Sequence, residues 1–289
     1  MALSKIPKSP QLSCGDRVLD LSKPQLMAVI NVTPDSFSDG GRYFRDGGLH
    51  LDTLLSQVDA ALRAGASMID IGGESTRPGA APISEAEEMA RVLPAVEAVA
   101  QRFDVVISVD TSTASVMAES ASAGAGLIND VRALRREGAL AAAADSGLPV
   151  CLMHMRGEPG DMQRQPHYED VVIEVEAFLR ERVAACADAG IPAERLLLDP
   201  GFGFGKTLAH NLALFRRLPE LCAWGYPVLV GVSRKSMVGD ITGREVAYRM
   251  PGSITLAALA AERGAAIIRA HDIAETADAL AVAAALKGF

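Results

Sequence analysis

Eight short apolar runs punctuate the chain, and each gives way to polar or glycine-bearing residues before a longer amphipathic or alanine-rich stretch begins. The runs are LMAVINV (26–32), MIDIGG (68–73), VVISVDT (105–111), LINDV (127–131), PVCLMHM (149–155), LLLDPG (196–201), PVLVGVS (227–233) and AIIRAHD (266–272). Runs this short and this rich in Val, Ile and Leu read as strands covered on both faces. Between them lie LDTLLSQVDAALRAG, SEAEEMARVLPAVEAVAQRF, VVIEVEAFLRERVAACADAG and similar stretches with helical character. Several close on Gly, a common helix stop. Eight strands alternating with helices are what an α/β fold of the (β/α)8 TIM-barrel type requires, with a doubly wound open sheet as the alternative. Ahead of the first run, LSCGDRVLDL predicts a small hairpin turning at Gly15-Asp16 and covering the barrel floor. No linker, low-complexity tract or repeat beyond the βα unit breaks the pattern. Residues 1–289 are therefore expected to form one domain, with 1–11 as a flexible lead.

Length and composition agree with that reading. The 289 residues suit one barrel of about 250 residues plus insertions. Hydrophobic residues make up 49% of the chain, ample for a large core. The formal net charge of −8 argues against a nucleic-acid or membrane-surface protein. Any anionic ligand must therefore find its cations gathered locally. Cys14, Cys151, Cys186 and Cys222 are far apart, with no CxxC spacing, and read as buried reduced thiols of a cytoplasmic protein. The start, MALSKIPKSPQL, lacks the apolar segment of a secretion signal, and no uncharged apolar stretch approaches the about 18 residues of a membrane span.

Polar groups stand where the strands end: Asn31, Asp70 with Glu74, Asp110, Asn129, His154, Asp199, Ser233 with Lys235, and Arg269 with His271. Side chains two apart on a strand share a face, so Val29 and Asn31, Ser108 and Asp110, Leu127 and Asn129, and Leu197 and Asp199 point alike. A barrel can direct these sets to one mouth, where barrel enzymes carry their chemistry. Singly, each has a blander reading. Asp110 precedes Thr111-Ser112 as a helix cap would, Asn129 suits a cap or turn, and His154 in an apolar run suits a satisfied core or rim position. Arg269 resists dismissal, because an unpaired buried guanidinium costs several kcal/mol. Taken jointly, the convergence is the signal.

Three glycine-bearing turns add to it. NVTPDSFSDGG (31–41) and GGESTRPGA (72–80) are longer than a tight βα turn needs and suit active-site cover, with Arg77 between Thr76 and Pro78 placed for an anion. DPGFGFGKT (199–207) imitates a phosphate loop but is not one. Pro200 stands where the first Walker glycine belongs, and Lys206 where a dinucleotide fingerprint needs its third glycine.

NVTPDSFSDGG, DIGGESTRPGA, SVDT, IND, LMHM, DPGFGFGK, GVSRK and RAHD occur in this order at the strand ends, and together they resemble the dihydropteroate synthases. The resemblance runs from about residue 12 to the C-terminus. It implies condensation of 6-hydroxymethyl-7,8-dihydropterin diphosphate with 4-aminobenzoate, giving 7,8-dihydropteroate and diphosphate, with Mg²⁺ on the diphosphate. The pterin contacts it implies are Asp110, Asn129, Met153, Asp199, Phe204, Lys235 and Arg269. The diphosphate contacts are Asn31, Thr76, Arg77, Arg269 and His271, with Asn31 as the protein ligand to Mg²⁺. For 4-aminobenzoate they are Thr76, Arg77, Pro78, Phe204, Lys235 and Ser236. Catalytic roles fall to Asp110, Arg77, Lys235 and His271. In this scheme the loop glycines let backbone pass close to a flat ligand, and Lys206 faces solvent or the diphosphate entrance. A pterin-dependent methyltransferase of the methyltetrahydrofolate–corrinoid type is the nearest rival, and STRPG, SRK and NVTPDSFSDGG tell against it. A silent paralogue that binds without turnover is the other alternative. The resemblance also implies a homodimer through late barrel helices and sulfonamides as inhibitors.

Overall fold

Side-chain alternation along eight parallel strands decides what fills the middle of the molecule. The computed structural model describes residues 10–33, 44–45, 48–75, 80 and 82–287. After the hairpin of β1 (Gln11–Cys14) and β2 (Arg17–Asp20), the barrel is built from β3 (Gln25–Asn31), β6 (Met68–Gly72), β7 (Val106–Asp110), β8 (Leu127–Asp130), β9 (Val150–Met153), β10 (Leu196–Asp199), β11 (Leu229–Gly231) and β12 (Ile267–Ala270). A second, minimal antiparallel pair, β4 (Phe44–Arg45) and β5 (Gly48–Leu49), precedes the first helix. The barrel strands pair in parallel in the order β10-β9-β8-β7-β6-β3-β12-β11. A parallel bridge from Leu198 to Val228 joins the two ends, so the sheet closes and the open-sheet alternative falls.

Each run identified above contributes one barrel strand, and the helices lie between them: α1 (Leu51–Arg63), α2 (Glu85–Arg102), α3 (Ala114–Ser122), α4 (Ala139–Ser146) and α5 (Val171–Asp188). The ring finishes with α6 (Leu208–Arg216), α7 (Leu218–Cys222), α8 (Ser236–Thr242), α9 (Met250–Glu262) and α10 (Ile273–Lys287). Local sequence sets several starts. The Ser84 hydroxyl accepts from the Glu87 amide, and the Asp170 carboxylate accepts from the Val172 and Ile173 amides. No helix of the described residues is long and apolar enough to cross a membrane.

Every barrel strand sends one inward side chain to the floor: Met27, Met68, Val106, Leu127, Cys151, Leu197, Leu229 and Ile267. Beneath them pack Leu12, Cys14 and Leu19 of the hairpin, which turns at Gly15 as predicted. Burying each leucine contributes about 2 kcal/mol and closes the floor to water. Gln11, the last residue of the stretch expected to be a flexible lead, is paired with Asp20, and residues 1–9 lie outside the described residues. The outward residues, Ile30, Ile69, Ile107, Ile128, Leu152 and Leu198 among them, form the larger core with the helices. All four cysteines are buried and free. With the floor apolar and sealed, only the opposite rim is left to carry polar groups.

Candidate active site

The layer above the floor is where the alternation places Asp70, Ser108, Asn129, Met153, Asp199, Gly231 and Arg269, and above it Asn31 and Asp110 end their strands. At its centre Asp70 is fully buried. Its carboxylate accepts from Ser108 Oγ at 2.6 Å, from Arg269 Nε at 2.6 Å and from Asn129 Nδ2 at 3.4 Å. Arg269 also donates from Nη2 to Asp110 Oδ2 at 3.1 Å. One guanidinium thus offsets two carboxylates, which satisfies the requirement that a buried arginine be paired. Burial, and then the neighbouring Asp70 charge, hold the Asp110 carboxyl above the ordinary carboxylate range, with Arg269 opposing.

Asp110 does not cap the following helix, because Thr113 stands at that position and Asp110 faces Arg269. Nor does Asn129 cap a helix, since its amide turns to Asp70. Both leave their blander readings behind.

Asp199 lies across the mouth, 5% exposed. Its Oδ1 accepts from the Gly201 amide at 2.7 Å, and burial raises its pKa against the pull of Lys235. Lys235 enters from the turn after β11, where Arg234 adopts a left-handed φ of 57°. Arg234 donates from Nε to Asp272 at 3.0 Å. The Lys235 ammonium donates to the Phe202 carbonyl and sits 4.5 Å from the Phe204 ring centroid. Burial lowers its pKa to about 8. Met153 and Phe204 join Val131, Met155 and Met162 in an apolar wall beside Asp199. Nδ1 of His271 is 3.0 Å from Ser233 Oγ, and Ser236 is exposed at the first turn of α8.

Asn31 ends β3 beside Gly72, partly exposed, with no side-chain hydrogen bond to another described residue. Among the described residues no three His, Cys, Asp or Glu cluster to hold a metal ion. One amide oxygen at the rim fits a hard cation whose other ligands are substrate oxygens and water, as Mg²⁺ prefers. Thr76, Arg77 and Pro78 lie outside the described residues.

Three expectations need correction. His154, which stands among the strand-end polar residues, points outward between the barrel and α5, 5% exposed, with its ring 4.9 Å from that of Phe178, so its blander reading as a satisfied core histidine holds and its place in the inward set does not. Its position follows from parity: it continues the outward face of Leu152. Lys206 faces neither solvent nor the mouth. It is 3% exposed, because the loop folds over it and supplies carbonyl acceptors. And two of the loop glycines make room for protein rather than ligand. A Cβ at Gly201 would collide with the His154 carbonyl, and one at Gly205 with the Arg156 carbonyl.

Spacing along the chain also does not disclose a cluster of ion pairs centred on the buried Arg132 and Glu74. Arg132 Nη1 lies 2.9 Å from Glu74 and its Nε 2.9 Å from Glu158, and Arg136 reaches Glu74 at 3.2 Å. From the sequence Glu74 reads only as a strand-end acid. Its neighbourhood with Arg132 comes from strand order, which spacing along the chain does not reveal.

The pterin binding enzyme family matches residues 27–271. The dihydropteroate synthase of Escherichia coli (strain K12) is 54% identical over 267 residues, covering 91% of this chain and 92% of that one. That of Haemophilus influenzae is 52% identical, covering 94% and 97%. A crystal structure of the Yersinia pestis dihydropteroate synthase with a sulfonamide drug complex superposes with a TM-score of 0.93 at 53% identity, over 96% of this chain and 100% of that one. The Xanthomonas albilineans dihydropteroate synthase with 4-aminobenzoic acid gives 0.89 at 48% identity, over 97% and 99%. With the polar rim of the barrel and these relatives in agreement, the chain belongs to the dihydropteroate synthase family of pterin binding enzymes.

Proposed function

We propose that the barrel mouth divides the dihydropteroate synthase reaction between a pterin pole at Asp199, Asn129 and Lys235 and a leaving-group pole at Asn31, Arg77, Arg269 and His271. The single observation that carries this is the meeting of a buried carboxylate, a buried carboxamide and two cations at one rim. A pterin edge offers ring N–H and amino donors beside a carbonyl acceptor. Asp199 accepts the donors in charge-assisted bonds, Asn129 serves both kinds of partner, and Lys235 donates to the carbonyl and ring nitrogen. Met153 and Phe204 pack on the ring. Asp110, held against Arg269, stabilises cationic character on the ring as the C–O bond to diphosphate weakens.

The amine of 4-aminobenzoate attacks the exocyclic methylene carbon, the C–O bond breaks, diphosphate leaves and the nitrogen gives up a proton to solvent. An aniline nitrogen is neutral at pH 7, so no strong base is required. Thr76, Arg77, Arg269 and His271 neutralise the departing charge, and Thr76, Arg77, Pro78, Phe204, Lys235 and Ser236 surround 4-aminobenzoate. Asn31 would hold Mg²⁺ through its amide oxygen, and the ion would supply neutralisation of diphosphate charge. These are the local cations that an acidic chain needs for an anionic substrate.

We place the protein in the cytoplasm as a homodimer. Leu259 of α9 and Val282 and Leu286 of α10 are exposed apolar side chains that support pairing through the late helices, and light scattering measures it. The reaction is tested by mixing protein with the dihydropterin diphosphate, 4-aminobenzoate and Mg²⁺. Diphosphate released only when 4-aminobenzoate is present is the expected result, and none released discards the reading.

A further inference from the structure

Lysine is a costly residue to bury, because desolvation disfavours its charged form, and an apolar side chain of similar size would fill the same space more cheaply. Lys206 is nevertheless 3% exposed, directly behind the 199–207 loop. Its Nζ lies 2.9 Å from the Gly201 carbonyl, 3.0 Å from the Phe204 carbonyl and 2.8 Å from His154 Nδ1. The His154 imidazole is neutral, burial pushing its pKa down to about 2. As an ammonium, Lys206 donates to all three groups. As an amine, it donates to both carbonyls and accepts from Nδ1–H. Either way every hydrogen is used.

The loop it holds is poor in intrinsic order. Gly201, Gly203 and Gly205 all take left-handed φ, and glycine loses more freedom than any other residue on being fixed. Other ties exist: Asn211 Oδ1 accepts from the Gly203 amide at 2.8 Å and the Tyr168 hydroxyl donates to the Gly205 carbonyl at 2.9 Å. The Phe204 amide closes the turn on the Gly201 carbonyl at 3.1 Å, and among the described residues the Lys206 side chain is the one that bonds the carbonyls of both Gly201 and Phe204. Those ends carry the ligand-facing groups. The Gly201 amide orients the Asp199 carboxylate, and the Phe204 ring stands over Lys235.

We infer that Lys206 is a positioning residue for pterin binding, fixing from behind the loop the Gly201 and Phe204 backbone that aims Asp199 and Phe204 at the ring. The inference rests on the placement of the pterin edge at Asp199 proposed above. It acts on the pterin pole and leaves the leaving-group pole untouched, a division that a purely structural role would not produce.

Calorimetry on the full chain with two probes, 6-hydroxymethylpterin and inorganic diphosphate with Mg²⁺, tests it. Lys206→Met, with its fold checked by circular dichroism, is expected to weaken pterin binding about tenfold or more, with diphosphate binding within about twofold of the unsubstituted protein. His154→Phe keeps ring packing on Phe178, withdraws one partner of Nζ and is expected to show the same split at a few-fold loss; it decides the matter should Lys206→Met not fold. Pterin affinity unchanged in the folded variant overturns the inference, as does parallel loss of both probes. Asp199→Asn run alongside separates the two levels. If it weakens pterin binding while Lys206→Met does not, the Lys206 role alone fails. If Asp199→Asn has no effect, the pterin placement fails and takes the inference with it.

Discussion

Arg269 Nε donates to Asp70 Oδ2 at 2.6 Å across 199 positions of the chain, and this bond ties the last barrel strand to the second. Asp70 touches no substrate in the proposed arrangement, yet it sets where the guanidinium and the Asn129 amide stand. Asp70→Asn keeps the shape and a partner for Ser108 but withdraws the charge that offsets Arg269. Loss of one member of a buried pair costs about 3–5 kcal/mol, and Asp110 compensates part of it here. Urea unfolding should show a loss of about 3 kcal/mol; an unchanged midpoint would mean that Asp110 alone suffices.

Asp199→Asn tests the pterin edge directly. The substitution removes a charge-assisted acceptor and turns a donor toward ligand donors, so pterin affinity should fall by roughly 2–4 kcal/mol. Calorimetry giving the same affinity in both proteins would remove Asp199 from the site.

The pH dependence follows from Lys235, whose pKa burial lowers to about 8. Above that pH the free enzyme loses the charge that strengthens its donation to the pterin carbonyl, so kcat/KM for the dihydropterin diphosphate should fall as pH rises through 8. The stability contribution runs the other way. Between the native value and the ordinary lysine value the unfolded chain binds a proton that the native one does not, so this group's contribution to stability increases with pH across that window. A falling rate without falling stability separates titration from unfolding. A flat kcat/KM from pH 7 to 9.5 would contradict the assignment.

Gly201→Ala meets two penalties, a left-handed φ of 68° and a Cβ driven into the His154 carbonyl. Gly147 has a similar φ of 70° but open space around it. Gly147→Ala should therefore cost only the strain, roughly 1–2 kcal/mol, and Gly201→Ala clearly more. Equal losses by thermal denaturation would mean that the 199–207 loop is not pressed against β9.

The contrast between those two glycines also shows what the chain discloses by itself. Period-two alternation fixes a residue's face from local sequence, which is why Asn129, Asp199 and Arg269 were legible as one inward set once eight strands were counted. Lys206 and Glu74 were not, because their partners lie on other strands or under the loop itself. Parity, applied strictly, would have excluded His154 from the inward set. The substrate contacts of Thr76 and Pro78 and the catalytic role of Arg77 come from the resemblance, and all three residues lie outside the described residues.

A crystal structure of the protein with 6-hydroxymethylpterin diphosphate tests the central claim most directly. The account predicts the pterin edge within hydrogen-bond distance of the Asp199 carboxylate and the Asn129 carboxamide, with the diphosphate directed toward Asn31 and His271. A ring bound anywhere outside the barrel mouth, or within it but turned from Asp199, would contradict it.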